Sequence, residues 1–247
     1  MILDCGTGAR ELGHKLLGEP VRELDLLFTH FHMDHVFGFP FFLPIYTPGY
    51  AVRVTMPAYS EEDAKDRLAR YLNGEYHPTR LRDLPATVNF RGIRPGRPFS
   101  CGAFAVDTVR LNHPGGSVGY RIAAGGRSVA YLTDTAPFAR FGDGISADQG
   151  PTTREAQVIE FLKGCDTVIY DTMYDLDEYL EKMTWGHSYP EYAIQICRRA
   201  GVPHLVLFHH APDHDDDALD RREARYAEVE GIRVTMAREG GTVYVEG

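Results

Sequence analysis

Three histidines and an aspartate, His30, His32, Asp34 and His35, fall within six consecutive residues, directly after the apolar stretch Leu24 to Phe28. A strand turns its side chains over every second residue, so His30 and His32 leave the strand end on one side, and a turn at Met33 delivers Asp34 and His35 beside them. Desolvated carboxylates and imidazoles are costly to gather without partners, and nitrogen and oxygen donors of this kind suit Zn, Fe or Mn. The cluster reads as one part of a two-metal hydrolytic site, against the plain alternative of a histidine-rich loop that holds no metal. Two ions need further donors, which should come from the ends of other strands. His113 follows the run Phe104 to Leu111, Asp134 follows Arg127 to Thr133, and His209 or His210 follows Leu205 to Phe208.

The elements that would position these donors are legible as hydrophobic periodicity. Strand-like runs fall at Leu24 to Thr29, Val52 to Met56, Phe104 to Leu111, Val118 to Ala123, Arg127 to Thr133, Thr167 to Asp171, Leu205 to His209, Ile232 to Met236 and Thr242 to Val245. Helical patterns cover Ala9 to Leu17, Ser60 to Leu72, Thr153 to Leu162, Tyr189 to Ala200 and Asp215 to Val229, with Ser60 and Asp215 as N-caps. Ala123 to Arg127 carries two glycines and reads as a hairpin turn. Strands in mid-chain and strand-helix alternation later predict an α/β protein with two sheets face to face and helices outside. One domain over residues 1–247 is expected, with 57–98, rich in Pro, Arg and Tyr, as an insertion or lid.

The chain is 247 residues long, 43% hydrophobic and 25% charged, with a net charge of −9. That balance disfavours a broad phosphate-binding face, so a small substrate is expected and a large nucleic-acid partner is not. Cys5, Cys101, Cys165 and Cys197 form no C-x-x-C pair and read as buried or free thiols. No run has the length of a membrane span and the first residues lack the pattern of a signal peptide, which makes the cytoplasm the default location. Three further features have ordinary readings. Asp213 to Asp217 is acidic capping of a helix start; Gly115, Gly116 and Gly119 mark a turn without the Lys-Ser/Thr pair of a phosphate loop; and Phe37, Phe39, Phe41 and Phe42 build core, with Phe39 or Phe41 open to lining a pocket.

The segment Leu3 to Gly8, the H-x-H-x-D-H run, Asn112 to Gly115, Leu132 to Thr135, Gly186 to Ser188 and Phe208 to Pro212 occur in an order that resembles the metallo-β-lactamase-fold hydrolases, in the branch of tRNase Z and the phosphoribosyl cyclic phosphodiesterases. The resemblance spans nearly the whole chain and implies a four-layer αββα sandwich. It implies that His30, His32 and His113 hold one metal, Asp34, His35 and His209 the other, and that Asp134 bridges them. The family's last ligand precedes a residue-small-Pro triplet, which selects His209 over His210. In this branch a His-Ser pair ahead of a helix serves proton transfer to the leaving oxygen, which His187 and Ser188 match, with Asp171 as the carboxylate that orients His187. Asp34 belongs to the catalytic set as well as to the ligands, and Asp4 would orient a ligand histidine.

Family members carry a strand hairpin ahead of the Leu3 segment. Here Met1 falls on that strand, so either the start is truncated or the first sheet lacks an edge and exposes backbone that favours self-association, such as a homodimer. The function implied is a dinuclear phosphodiesterase acting on a small cyclic or linear phosphodiester, with two divalent metals, Zn first and Mn or Fe as alternatives. No Gly/Pro- and Lys-rich exosite arm of the tRNA enzymes is legible. The competing functions are a lactone, thioester or β-lactam hydrolase on the same fold, and a non-catalytic metal-binding protein.

Overall fold

The computed structural model describes residues 1–138 and 153–245. The chain divides into two compact units, Met1–Arg97 and Pro98–Gly247. The first contains β1 (Ile2–Leu3), α1 (Ala9–Leu17), β2 (Glu23–Leu27), α2 (Met33–Val36), β3 (Ala51–Pro57), α3 (Glu61–Ala69) and β4 (Thr87–Ile93). Its sheet runs β1-β2-β3-β4, every neighbour parallel. Leu24, Leu26, Val52 and Val54 are buried in it and hold the register Leu24↔Val52 and Leu26↔Val54. Each such side chain contributes roughly 1.5–3 kcal/mol by leaving water, so the end of β2 is a firm platform for the donors carried just beyond it. Ser60 caps α3 by accepting from the Asp63 amide at 3.1 Å.

Much of the stretch read as an insertion or lid is regular structure of this unit: α3 follows β3, and β4 pairs with β3 along Ala51↔Thr87 to Pro57↔Ile93. Along β4 exposed Thr87, Asn89 and Arg91 alternate with half-buried Val88, Phe90 and Gly92, and Val88 and Phe90 pack against the core of this unit, a short period-two strand signal that the Pro- and Arg-rich flanks obscure. The two-residue β1 forms the edge of the sheet.

The second unit contains β5 (Phe99–Cys101), β6 (Phe104–Leu111), β7 (Ser117–Ala124), β8 (Arg127–Leu132), α4 (Thr153–Leu162), β9 (Thr167–Asp171), α5 (Leu176–Glu181), α6 (Pro190–Ala200), β10 (His204–Phe208), α7 (Asp216–Tyr226) and β11 (Arg233–Met236). Its sheet runs β11-β10-β9-β8-β7-β6-β5. β5 to β8 pair antiparallel, and β8 to β11 pair parallel. The β7–β8 turn places Gly125 and Gly126 at φ +59° and +79°, the left-handed pair that a two-residue hairpin needs.

Three parallel strands end level: Leu132 opposes Tyr170, and Asp171 opposes Phe208. Asp134, Asp171 and His209 therefore sit at or just beyond adjacent strand ends, where ligands gather in open α/β sheets. Asp215 caps α7 through the Ala218 amide at 2.8 Å. Thr242 to Val245, expected as a strand, is not one; Val243 and Tyr244 are exposed, so the alternation has no buried face to occupy. The short helix α5 is an addition that sequence periodicity does not signal.

Candidate metal centre

In the first unit the donors follow β2 without a break. Phe28, Thr29 and His30 continue inward as buried residues, then His32 opens α2 as its N-cap and Asp34 and His35 lie within that helix. The rings of His30 and His35 are 4.2 Å apart by centroid and those of His30 and His32 4.6 Å. Asp4 organises the group. One of its carboxylate oxygens accepts from the Thr29 amide at 2.7 Å, and the other accepts from the Thr29 hydroxyl and from His35 Nδ1, both at 2.9 Å.

A hydroxyl that gives its one hydrogen to Asp4 can only accept from His30 Nδ1, 3.0 Å away. Both rings thus carry hydrogen on Nδ1 and present the Nε2 lone pair, the tautomer a metal ligand requires. His35 Nε2 lies 3.1 Å from Asp34 Oδ2. The backbone closes tightly around this arrangement: a Cβ on Gly38 would stand 1.8 Å from the Gly6 carbonyl oxygen, and one on Gly6 would stand 2.4 Å from that of Asp34. Glycine at both positions lets the Asp4 loop lie against α2.

In the second unit His113, Asp134 and His209 meet at the strand ends. His113 Nε2 is 3.5 Å from Asp134 Oδ2, and His209 Nε2 is 3.6 Å from Asp134 Oδ1. His113 donates from Nδ1 to the Gly186 carbonyl at 2.8 Å, which again leaves Nε2 as the ligating atom. That contact explains Gly186, at φ +93°: a Cβ there would stand 2.3 Å from Pro114 Cδ and 2.6 Å from His113 Nδ1. His210 points elsewhere, donating from Nε2 to the Ala237 carbonyl at 3.0 Å, and burial pushes its imidazole below the ordinary range.

His187 donates from Nδ1 to Asp171 Oδ2 at 2.9 Å. The fully buried Asp171 also accepts from the Thr135 amide at 2.9 Å and the Met173 amide at 3.1 Å. With its oxygens engaged this way, Asp171 orients His187. The His187 ring stacks on His209 at 5.0 Å, and one ligand-type atom of each of Asp134, Asp171 and His187 lies within 4.8 Å of the others.

Among the described residues, Asp4, Asp134 and His209 are the non-glycine residues with left-handed backbone, at φ 57°, 58° and 61°. Each costs of order 1–2 kcal/mol, and such strain persists where the surroundings over-determine it. All three belong to the donor set or its supports. The imidazoles with Nε2 turned to carboxylates, the carboxylates themselves and the hydrogen bonds that fix each tautomer suit divalent metal ions. Sequence reasoning assigned no role to Thr29, Gly6, Gly38 or Gly186; their signal is contact across loops, which one-dimensional spacing does not carry. The four cysteines are buried, and burial pushes the thiols of Cys5 and Cys197 far up, so neither is a ready nucleophile. Among the described residues no helix is long and apolar enough to cross a membrane.

Ribonuclease Z of Methanopyrus kandleri is 26% identical to the chain over a gapped alignment of 278 positions, covering 99% of this chain and 87% of the relative. Among solved structures, the short form of human tRNase Z superposes with a TM-score of 0.66 at 18% identity, over 99% of this chain and 87% of that one. A diphosphatase from the PhnP family superposes with a TM-score of 0.62 at 17% identity, over 95% and 76%. These two likenesses carry the fold. Residues 1–210 match the Beta-lactamase superfamily domain, and over so much of its length the chain belongs to that superfamily, as a metal-dependent hydrolase of metallo-β-lactamase fold that is similar to the tRNase Z-like branch.

Proposed function

We propose that the protein is a dinuclear phosphodiesterase acting on a small cyclic or linear phosphodiester, with two metal ions, Zn in the first place and Mn or Fe as alternatives. His30, His32 and His113 would hold one ion, Asp34, His35 and His209 the other, and Asp134 would be shared. Bound metals of this kind supply Lewis acidity and a nucleophilic water at neutral pH.

The observation that carries the choice of reaction is the His187–Asp171 pair at 2.9 Å. Asp171 fixes Nδ1–H and stabilises the imidazolium, so His187 can hold a second hydrogen on Nε2 and give it to the departing alkoxide. A phosphodiester expels a poor leaving group and gains from that proton. Lactones, thioesters and β-lactams have better leaving groups or strained rings and need it less, which ranks them second.

His187→Ala should keep its metals and lose roughly 10²- to 10⁴-fold in turnover of alkyl diesters, the usual worth of general acid catalysis. The loss should shrink for p-nitrophenyl diesters, whose phenolate leaves unprotonated, and Asp171→Asn should follow the same trend less severely. An equal loss for every leaving group would replace proton donation with substrate positioning. Normal hydrolysis of all diesters by the variant would move the assignment to a lactonase or thioesterase.

The Ribonuclease Z name of the relatives supports a second reading, RNA as substrate. The net charge of −9 weighs against a long phosphate backbone and favours the small diester. Parallel assays on a tRNA precursor with a 3′ extension and on 2′,3′-cyclic AMP separate the two.

A further inference from the structure

The run Phe37 to Phe42 splits in two directions. Phe39 and Phe42 are fully buried, whereas Phe37 and Phe41 are 43% and 48% exposed, so the second pair is not held outside for want of a core. Phe37 and Phe41 line a cavity of about 470 Å³ within the first unit, a size typical of small-molecule pockets. Five of the eight side chains lining it are aromatic rings: Phe37, Phe41, Tyr71, Tyr76 and His77. Tyr76 is 80% exposed, which leaves its ring open to a ligand in the cavity. Tyr71 is tied down by donating to the Phe31 carbonyl at 3.2 Å, and the Phe41 and His77 rings meet edge to face at 5.8 Å.

Two polar groups join these faces. Arg70 supplies a guanidinium, which stacks on planar rings and attracts anions. His77 Nδ1 is taken up by the Thr79 backbone, 3.2 Å from its amide and 3.5 Å from its carbonyl, which leaves the Nε2 edge of the ring for a heterocycle. Met33, also in the lining, stands between His32 and Asp34 in the chain. Its Cα is therefore about 3.8 Å from those of both donors. A group held in the cavity lies a short linker away from a phosphoryl group held at the donor cluster.

We propose that this cavity is a stacking subsite for a nucleobase, which makes the substrate a nucleotidyl phosphodiester. The identity of the linked phosphoryl group rests on the function proposed above; the base subsite does not. Flat faces, one cation and one Nε2 ring edge match a heterocycle carrying ring nitrogens and exocyclic groups. An acyl chain would be better served by aliphatic walls.

The test is calorimetric titration of the metal-loaded protein with AMP and with ribose 5-phosphate, which share the phosphate and differ in the base. AMP should bind tighter, and Phe41→Ala or Tyr76→Ala should each reduce that preference by roughly 5- to 150-fold, the worth of one base–aromatic stack. Both residues are exposed, so metal content and ribose 5-phosphate affinity should not move, and Phe41→Tyr should restore the preference. Equal binding of the two ligands, or a preference that survives both alanine variants, overturns the subsite. Preference for AMP without hydrolysis of any diester would sink the proposed reaction and leave the subsite standing.

Discussion

In the first unit four donors arrive within six residues on one strand end and one short helix, and their support, Asp4, comes from the neighbouring strand β1. In the second unit His113, Asp134, Asp171, His187 and His209 come from separate strand ends and a loop between α5 and α6, and meet only because the sheet lays those ends side by side. Local geometry builds the first group; long-range pairing builds the second. The backbone records the same contrast. Among the donors themselves, His32 at φ −64° opens an ordinary helix, while Asp134 and His209 sit in left-handed backbone at the ends of their strands; in the first group that strain falls on the support, Asp4, and not on a donor. The second group should therefore be the more sensitive to changes outside the donors themselves, and the first the more tolerant.

The largest expected effect is at the residue that touches two others. Asp134→Ala should strip both ions and reduce hydrolysis to background, as read by inductively coupled plasma mass spectrometry beside a diester assay. A variant that kept two ions would show that Asp134 is not shared. At the same strand end, His209→Ala should depress metal content far more than His210→Ala, because His210 is engaged by the Ala237 carbonyl. The reverse ranking would move the ligand by one position.

Next in size is the supporting carboxylate of the first group. Asp4→Asn keeps the shape but loses the charge that holds His35 Nδ1–H, and should weaken metal affinity by about 10- to 100-fold in a chelator competition. Unchanged affinity would mean that the local cluster holds its rings without Asp4.

The smallest effect separates the two backbones directly. In urea denaturation of metal-free protein, His209→Gly should be about 1–2 kcal/mol more stable than His209→Ala, since glycine relieves the left-handed strain. For His35, inside α2, the order should reverse, with glycine about 0.5–1 kcal/mol less stable than alanine. The same order at both sites would remove the contrast between the groups.

The contiguous run His30 to His35 was legible because strand alternation followed by a turn needs no information beyond neighbouring residues. The caps at Ser60 and Asp215 were legible for the same reason, as was the Gly125–Gly126 hairpin: each is a contact within four positions of the chain. Strand β4 escaped because its alternation rests on two half-buried apolar residues, Val88 and Phe90, inside a Pro- and Arg-rich stretch, and Thr242 to Val245 misled because an apolar alternation makes a strand only where a partner and a buried face exist. His113, Asp134 and His209 could be named from the sequence as strand-end residues, but from the residues alone His209 and His210 were equivalent. Their difference lies in where the end of β10 directs each ring, toward Asp134 or toward Ala237.

By itself the sequence determined the chemistry available: which donor types are present, that four of them are local, and that apolar strands precede the others. Tertiary structure decided which nitrogen each ring presents, through Asp4, Thr29 and the Gly186 carbonyl, and which rings of the Phe37 to Phe42 run face solvent. Tautomer and exposure depend on partners distant in the chain, and hydrogen bonds of that kind form only once strand register has brought the partners together.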